Sequence, residues 1–252
     1  QKISKSKGNG ITIDEWLTYA PEESLALYMF INPRRAKKLH FDVIPQQVDD
    51  YLSYLEKYVT ETAAIGQPVP EGKQANSPLD NPVWHIHGGN PPAPESNVKF
   101  SLLLTLVSAC NAEDKAVLWS FLRRELPNAT PENSPMLDKL TGYAVRYYHD
   151  FVKPTKKFRA PTALERTALT DLRAYLSTLA DGTPADDIMT KVYDFGLKYY
   201  SKETMREWFK AMYETLLGSQ QGPRMGSFIA LFGATGTIGL IDAALAQAEV
   251  AV

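Results

Sequence analysis

The chain has 252 residues, 44% hydrophobic and 22% charged, so it can bury a core as one large domain or two smaller ones. Its 27 Lys and Arg against 29 Asp and Glu leave a formal net charge of −2, which excludes a globally basic nucleic-acid binder and leaves that role to local patches. The single cysteine, Cys110, excludes an internal disulfide and a cysteine-built zinc site and fits a reducing cytoplasm, and no apolar run approaches the roughly 20 residues that span a membrane.

Gln1 to Gly10 (QKISKSKGNG) holds three lysines, two serines and two glycines. Ammonium groups, hydroxyls and permissive backbone suit a polyphosphate, and the same composition suits a basic tail. Thr12 with Glu15 three residues on is a capping-box spacing that predicts a helix start at Ile13. Pro21-Glu22-Glu23 predicts a second start, with Leu25, Tyr28 and Met29 as its apolar stripe. Arg34, Arg35, Lys37 and Lys38 then cluster behind Pro33, either as a solvated face or as a phosphate contact. Phe41-Asp42-Val43-Ile44 reads as a short strand. Pro45 leads a helix over 46–60 whose buried face is Val48, Tyr51, Leu52, Leu55 and Val59.

Residues 64–97 are rich in Gly, Pro and Asn, lack a helical period, and read as a long connecting loop. Within it, Trp84-His85-Ile86-His87 offers two histidines at i,i+2, too sparse for a metal without a third ligand, so no metal site is expected. A packed Trp84 with one hydrogen-bonded histidine is the plainer expectation, and an RNA-facing loop is the other. From Val98 onward the pattern predicts helices over 98–109, 113–125, 134–150, 161–180, 184–200, 203–217, 223–232 and 236–248. The expected organisation is a region 1–63, a connecting loop 64–97 and an α-helical domain 98–252, mainly α throughout.

Two later clusters carry possible chemistry. Tyr143, Arg146, Tyr147, Tyr148 and His149 precede Lys153, Lys156, Lys157, Phe158 and Arg159, interleaving rings with cations. Rings that stack on splayed bases beside cations on phosphates suit single-stranded RNA, although part of this run must be helix core. Arg224 follows Gly222-Pro223 at a helix start, where its charge opposes the helix dipole and suggests an external anion. Gly226 just beyond it reads as a close-packing position.

Residue order adds more than composition. Lys2-Ile3-Ser4-Lys5-Ser6 resembles the Lys-Met-Ser-Lys-Ser loop of class I aminoacyl-tRNA synthetases, with Ile3 at the Met position. The run Lys7 to Leu17 (KGNGITIDEWL), Phe41 to Pro45 (FDVIP), Asn81 to His87 (NPVWHIH) and Gly222 to Leu231 (GPRMGSFIAL) together resemble the class I lysyl-tRNA synthetases. The resemblance runs nearly the whole length and departs over 64–78 and 246–252. His85-Ile86-His87 is not the His-Ile-Gly-His signature of that family: its order differs, and that signature lies upstream of the lysine loop.

The resemblance implies a fold with a stem-contact-like segment after the lysine loop, followed by an α-helical cage that binds the anticodon. It implies that Lys5 and Lys2 contact ATP phosphates and offset charge as pyrophosphate leaves, with Ser4 and Ser6 beside them. It implies ATP as substrate, with Mg in the full enzyme and no cofactor held tightly here, and lysine and tRNA-Lys as partners in the cytoplasm. Arg34, Arg35, Lys37, Lys38, Lys153, Lys156, Lys157, Arg159 and Arg224 are its candidate RNA contacts. The family's Rossmann domain precedes the loop, so the chain is expected to be the C-terminal part of a lysine–tRNA ligase and inactive alone. The alternative is a stand-alone helical RNA-binding module without catalysis.

Overall fold

The computed structural model describes residues 10–37, 39–65 and 77–247. In chain order these form α1 (Ile13–Tyr19), α2 (Glu22–Phe30), α3 (Ile44–Ala63), α4 (Pro82–Ile86), α5 (Phe100–Cys110), α6 (Lys115–Glu125), α7 (Pro135–Tyr147), α8 (Ala163–Leu176), α9 (Ala185–Tyr199), α10 (Met205–Met212), α11 (Met225–Phe232) and α12 (Ala234–Leu245). The structure is mainly helical, with no strand among the described residues. Phe41–Val43, expected to be extended, is a single 3₁₀ turn leading into α3. Its aromatic and β-branched residues favour a strand locally, but the described residues offer no partner strand to pair with. The expected loop also contains structure: Asn81-Pro82 starts α4, with the Asn81 side chain accepting from the Val83 N–H at 3.1 Å.

Contacts divide the chain into two units, one built from residues 1–101 and 134–143, the other from 102–133 and 144–252. In the first, Trp16 is fully buried and its indole N–H donates to the Ser24 hydroxyl at 3.1 Å. The Thr12–Glu15 capping box forms as the spacing predicts, at 2.6 and 3.2 Å. Helix α3 buries Val48, Tyr51, Leu52 and Leu55 in one face, while Val59 near its end is 45% exposed. In α2 the buried residues are Ser24 and Leu27, and Met29 is exposed. The stripe is therefore offset from the predicted one, because Ser24 is drawn inside to pair with Trp16.

Asp49 on α3 caps α5, accepting the Phe100 N–H at 2.5 Å and the Ser101 N–H at 3.3 Å. Burial is the largest influence on its carboxyl and pushes its pKa up, against the pull of these bonds and of Lys99. Asp49→Ala is expected to cost about 1–2 kcal/mol by urea unfolding, and Asp49→Asn less, because the amide keeps an acceptor. Equal losses from the two variants would count against the capping role.

In the second unit the predicted helices appear mostly within two or three residues of their expected ends. Two of them do not stay α-helical: α7 continues into a π turn at Tyr148–Val152, and α10 into another at Tyr213–Leu217. The core centres on Trp208, fully buried, whose N–H donates to the Val192 carbonyl at 3.0 Å. Gly196 leaves room for it, since a β-carbon there would lie 2.6 Å from the Trp208 ring. Helix α11 buries Met225, Phe228, Ile229, Leu231 and Phe232 and packs on α9. The closest approach is at Gly226, as the sequence suggested. Helix α12 is tied to α8 by Arg173–Asp242 at 2.5 and 3.0 Å and by Arg166, which donates to the Leu245 carbonyl at 2.7 Å. Arg166 thus meets the negative end of the α12 dipole. No single helix among the described residues is long and apolar enough to cross a membrane, and the apolar pair α11 and α12 is bent by 111°.

Candidate nucleic-acid interface

In the second unit, residues 153–159 form a strap running from the first π turn along the second. Lys153–Thr155 is a 3₁₀ turn, after which the chain becomes extended. The Lys157 N–H then donates to the Gly218 carbonyl at 3.0 Å and the Arg159 N–H to the Glu214 carbonyl at 3.4 Å. Gly218 closes the second π turn in the left-handed region, at φ 68°. A β-carbon there would meet Lys156 at 2.8 Å and the Phe158 ring at 3.2 Å, so glycine serves both its conformation and its closeness to the strap.

The strap's cations have different tasks. Arg159 is structural: its guanidinium takes Glu165 bidentately at 2.7 and 2.8 Å and Glu214 at 2.6 Å. Lys156 is half-committed, donating to the Ser108 carbonyl at 2.5 Å with its ammonium 4.9 Å from the Phe158 ring centroid. Burial pulls its pKa down. Lys153 and Lys157 are exposed, with no ion-pair partner among the described residues. Phe158 is 49% exposed, while Tyr148 is buried in the core and donates its hydroxyl to Asn111 at 2.9 Å.

Two concavities flank Phe158. One, about 650 Å³, is lined by the strap and by Glu214, Gly218 and Gln220. The other, about 420 Å³, is lined by Asn111, Tyr148, Lys153 and Gln247 among others, and by no described acid. Lys156 and Phe158 belong to both. Both π turns line this region, and such turns recur at functional sites. Asn111 and Gln247 were not anticipated as site residues. The positive φ of Asn111, 49°, has no sequence signal beyond the residue type.

The other sequence-named positions are scattered. Arg34 and Arg35 are exposed in the first unit. Lys37 lies 4.8 Å over the Tyr28 ring and donates to the Ile31 carbonyl, so it helps close the end of α2. Arg224 pairs with Asp186 at 2.7 Å, an internal acid that accounts for its place at a helix start. Lys2, Ser4, Lys5, Ser6 and Lys38 lie outside the described residues. The two histidines of the 84–87 run diverge: His87 hydrogen-bonds Tyr51 at 3.0 Å, and His85 stacks on Phe30 at 5.3 Å. Trp84 packs against Gly89, which sits at φ 91°.

Residues 1–90 match a family model described as tRNA synthetases class I (K). A protein of Roseobacter denitrificans named lysine–tRNA ligase is 50% identical over 248 residues, 98% of this chain and 44% of its own length. A lysine–tRNA ligase of Rickettsia felis is 45% identical over 97% of this chain and 45% of its own length. One of Rickettsia bellii is 46% identical over 96% of this chain and 44% of its own length. The chain thus spans less than half the length of these relatives, and through both of its units it is similar to proteins named lysine–tRNA ligase.

Proposed function

We propose that the chain is the C-terminal, tRNA-binding part of a lysine–tRNA ligase. The observation that carries this reading is 50% identity over 98% of the chain to a protein of that name. The whole enzyme would join lysine to ATP, release pyrophosphate, and esterify the activated lysine to tRNA-Lys in the cytoplasm. The lysine carboxylate is itself the nucleophile, so the protein's task in the first step is electrostatic: to neutralise charge gathering on the departing pyrophosphate. Lys2 and Lys5, with Ser4 and Ser6, are the residues assigned to it, and any Mg would sit with the ATP phosphates.

The first unit is assigned to the tRNA stem, with Arg34, Arg35 and Lys38 as phosphate contacts that position without reading sequence. The second unit is assigned to the anticodon, with Lys153, Lys156 and Lys157 beside the exposed Phe158. Arg159 supports this surface through its internal partners, whereas Lys37 and Arg224 are each engaged elsewhere, by the Ile31 carbonyl and by Asp186.

The test is binding of the purified chain to tRNA-Lys and to the same tRNA with its anticodon exchanged, at one fixed ionic strength. The exchanged tRNA is expected to bind more weakly by roughly tenfold or more, and both affinities to fall with added salt. Equal affinities would remove the anticodon assignment, and no binding of either tRNA would remove the whole reading.

A further inference from the structure

We infer that Phe158 is a stacking platform for one unpaired nucleobase, and that the 420 Å³ pocket beside it holds that base with the Asn111 amide donating to its edge. The inference rests on the RNA-binding reading above and deepens it, because nothing in that reading says which residues touch a base. Four features of the second unit converge on it.

The first is the ring itself. Phe158 is half-exposed but held, with Lys156 against it and the Gly218 backbone at its edge. A fixed, water-facing aromatic between two concavities has a face to offer, and every base has a π-face to receive it. The second is charge. Lys153 and Lys156 line the pocket and no described acid does, so the site suits an anion-bearing ligand such as a nucleotide. Glu214, on the other side of Phe158, is already taken by Arg159. The third is size, since about 420 Å³ falls within the roughly 300–1,000 Å³ of small-ligand pockets.

The fourth is the direction of Asn111. Its Oδ1 accepts the Tyr148 hydroxyl at 2.9 Å, and Tyr148 is almost wholly buried, so the amide is fixed from inside. With its oxygen engaged, Asn111 presents its NH₂ as a donor. A donor-only group pairs with a ring carbonyl or an unprotonated ring nitrogen of a base. Gln247, lining the same pocket, supplies an amide that can both donate and accept.

The test uses an anticodon stem–loop RNA of lysine tRNA and the intact 252-residue chain. Phe158→Leu is expected to weaken binding by roughly fivefold to a hundredfold, the range of one lost base stack, while leaving the melting temperature unchanged. Phe158→Tyr should restore binding. Asn111→Asp keeps an acceptor for Tyr148 and the asparagine-like tolerance of positive φ, and replaces the donor by a charge. It should weaken binding by roughly tenfold or more. Lys153→Ala should lower the slope of log affinity against log salt by about one, reporting one phosphate contact. If the wild-type chain binds the RNA and Phe158→Leu binds it equally well, this inference fails while the RNA-binding reading stands. If the wild-type chain does not bind, both fail.

Discussion

Gly226→Ala is expected to destabilise the protein by about 3 kcal/mol or more, lowering its melting temperature by roughly 6–12 °C. Helix α11 begins against the first turn of α9, and a β-carbon at Gly226 would fall far inside van der Waals contact distance of the Ala185 carbonyl oxygen. It would also lie 2.7 Å from the Met189 β-carbon and 2.9 Å from its nitrogen. The first obstacle and the last are backbone atoms, which cannot rotate away, so the helices must separate and loosen Phe228 and Ile229 in the core. Gly239→Ala is the control. It lies exposed on α12 with nothing within 4 Å of the added carbon, and it should gain about 0.5–1 kcal/mol from helix propensity. Calorimetry of the two variants decides the matter, and a Gly226→Ala protein that melts like wild type would show that the α9–α11 contact is looser than described.

Arg159→Met should cost about 2 kcal/mol at about pH 7. Removing one partner of a buried ion pair costs about 3–5 kcal/mol, and the exposure of the Arg159 side chain, 37%, brings the figure down. The carboxylates left behind are nearly buried, at 10% and 18% side-chain exposure for Glu165 and Glu214. The loss should depend on pH in a defined sense. Burial is the largest single influence on Glu165 and raises its pKa, but the bonds from Arg159 and Thr162 together outweigh it and hold the carboxyl below the usual range. A carboxyl lowered in the folded state adds stability that is full above the unfolded value of about 4.3 and lost as pH falls through the folded one. The difference between wild type and Arg159→Met should therefore be largest near neutrality and shrink below about pH 4. A difference constant across urea melts in that interval would mean that Arg159 acts by packing alone.

Much of the helical framework was legible because its signals are local. Thr12 with Glu15 and Asp114 before α6 are caps within three residues of what they bond. The apolar spacing of Val48, Tyr51, Leu52 and Leu55 fixed the buried face of α3. Misreadings arose where distant residues decide. Phe41–Val43 has strand-like residues and no strand to join among the described residues, and Ser24 replaced an apolar residue inside α2 because Trp16 needs an acceptor. The candidate site was half legible. A run of lysines with Phe158 among them suggests RNA from composition alone, but Arg159 is set apart from its neighbours by Glu214, 55 residues further on. Nothing short-range could have revealed that, nor that Asn111 meets Tyr148 across 37 residues.

The two π turns give the second unit an unusual genetic sensitivity. A π turn holds one residue more than the α-helix it interrupts, and each residue of an α-helix turns the chain by about 100°. Losing a single codon anywhere in Tyr213–Leu217 would let α10 continue as plain α-helix and swing Gly218 and all that follows out of register with the strap. The groove would be lost even if the residue deleted were Tyr213 or Leu217, neither of which lines it. Among relatives, a one-residue gap at either turn is thus a more telling sign of altered RNA binding than any substitution within the strap.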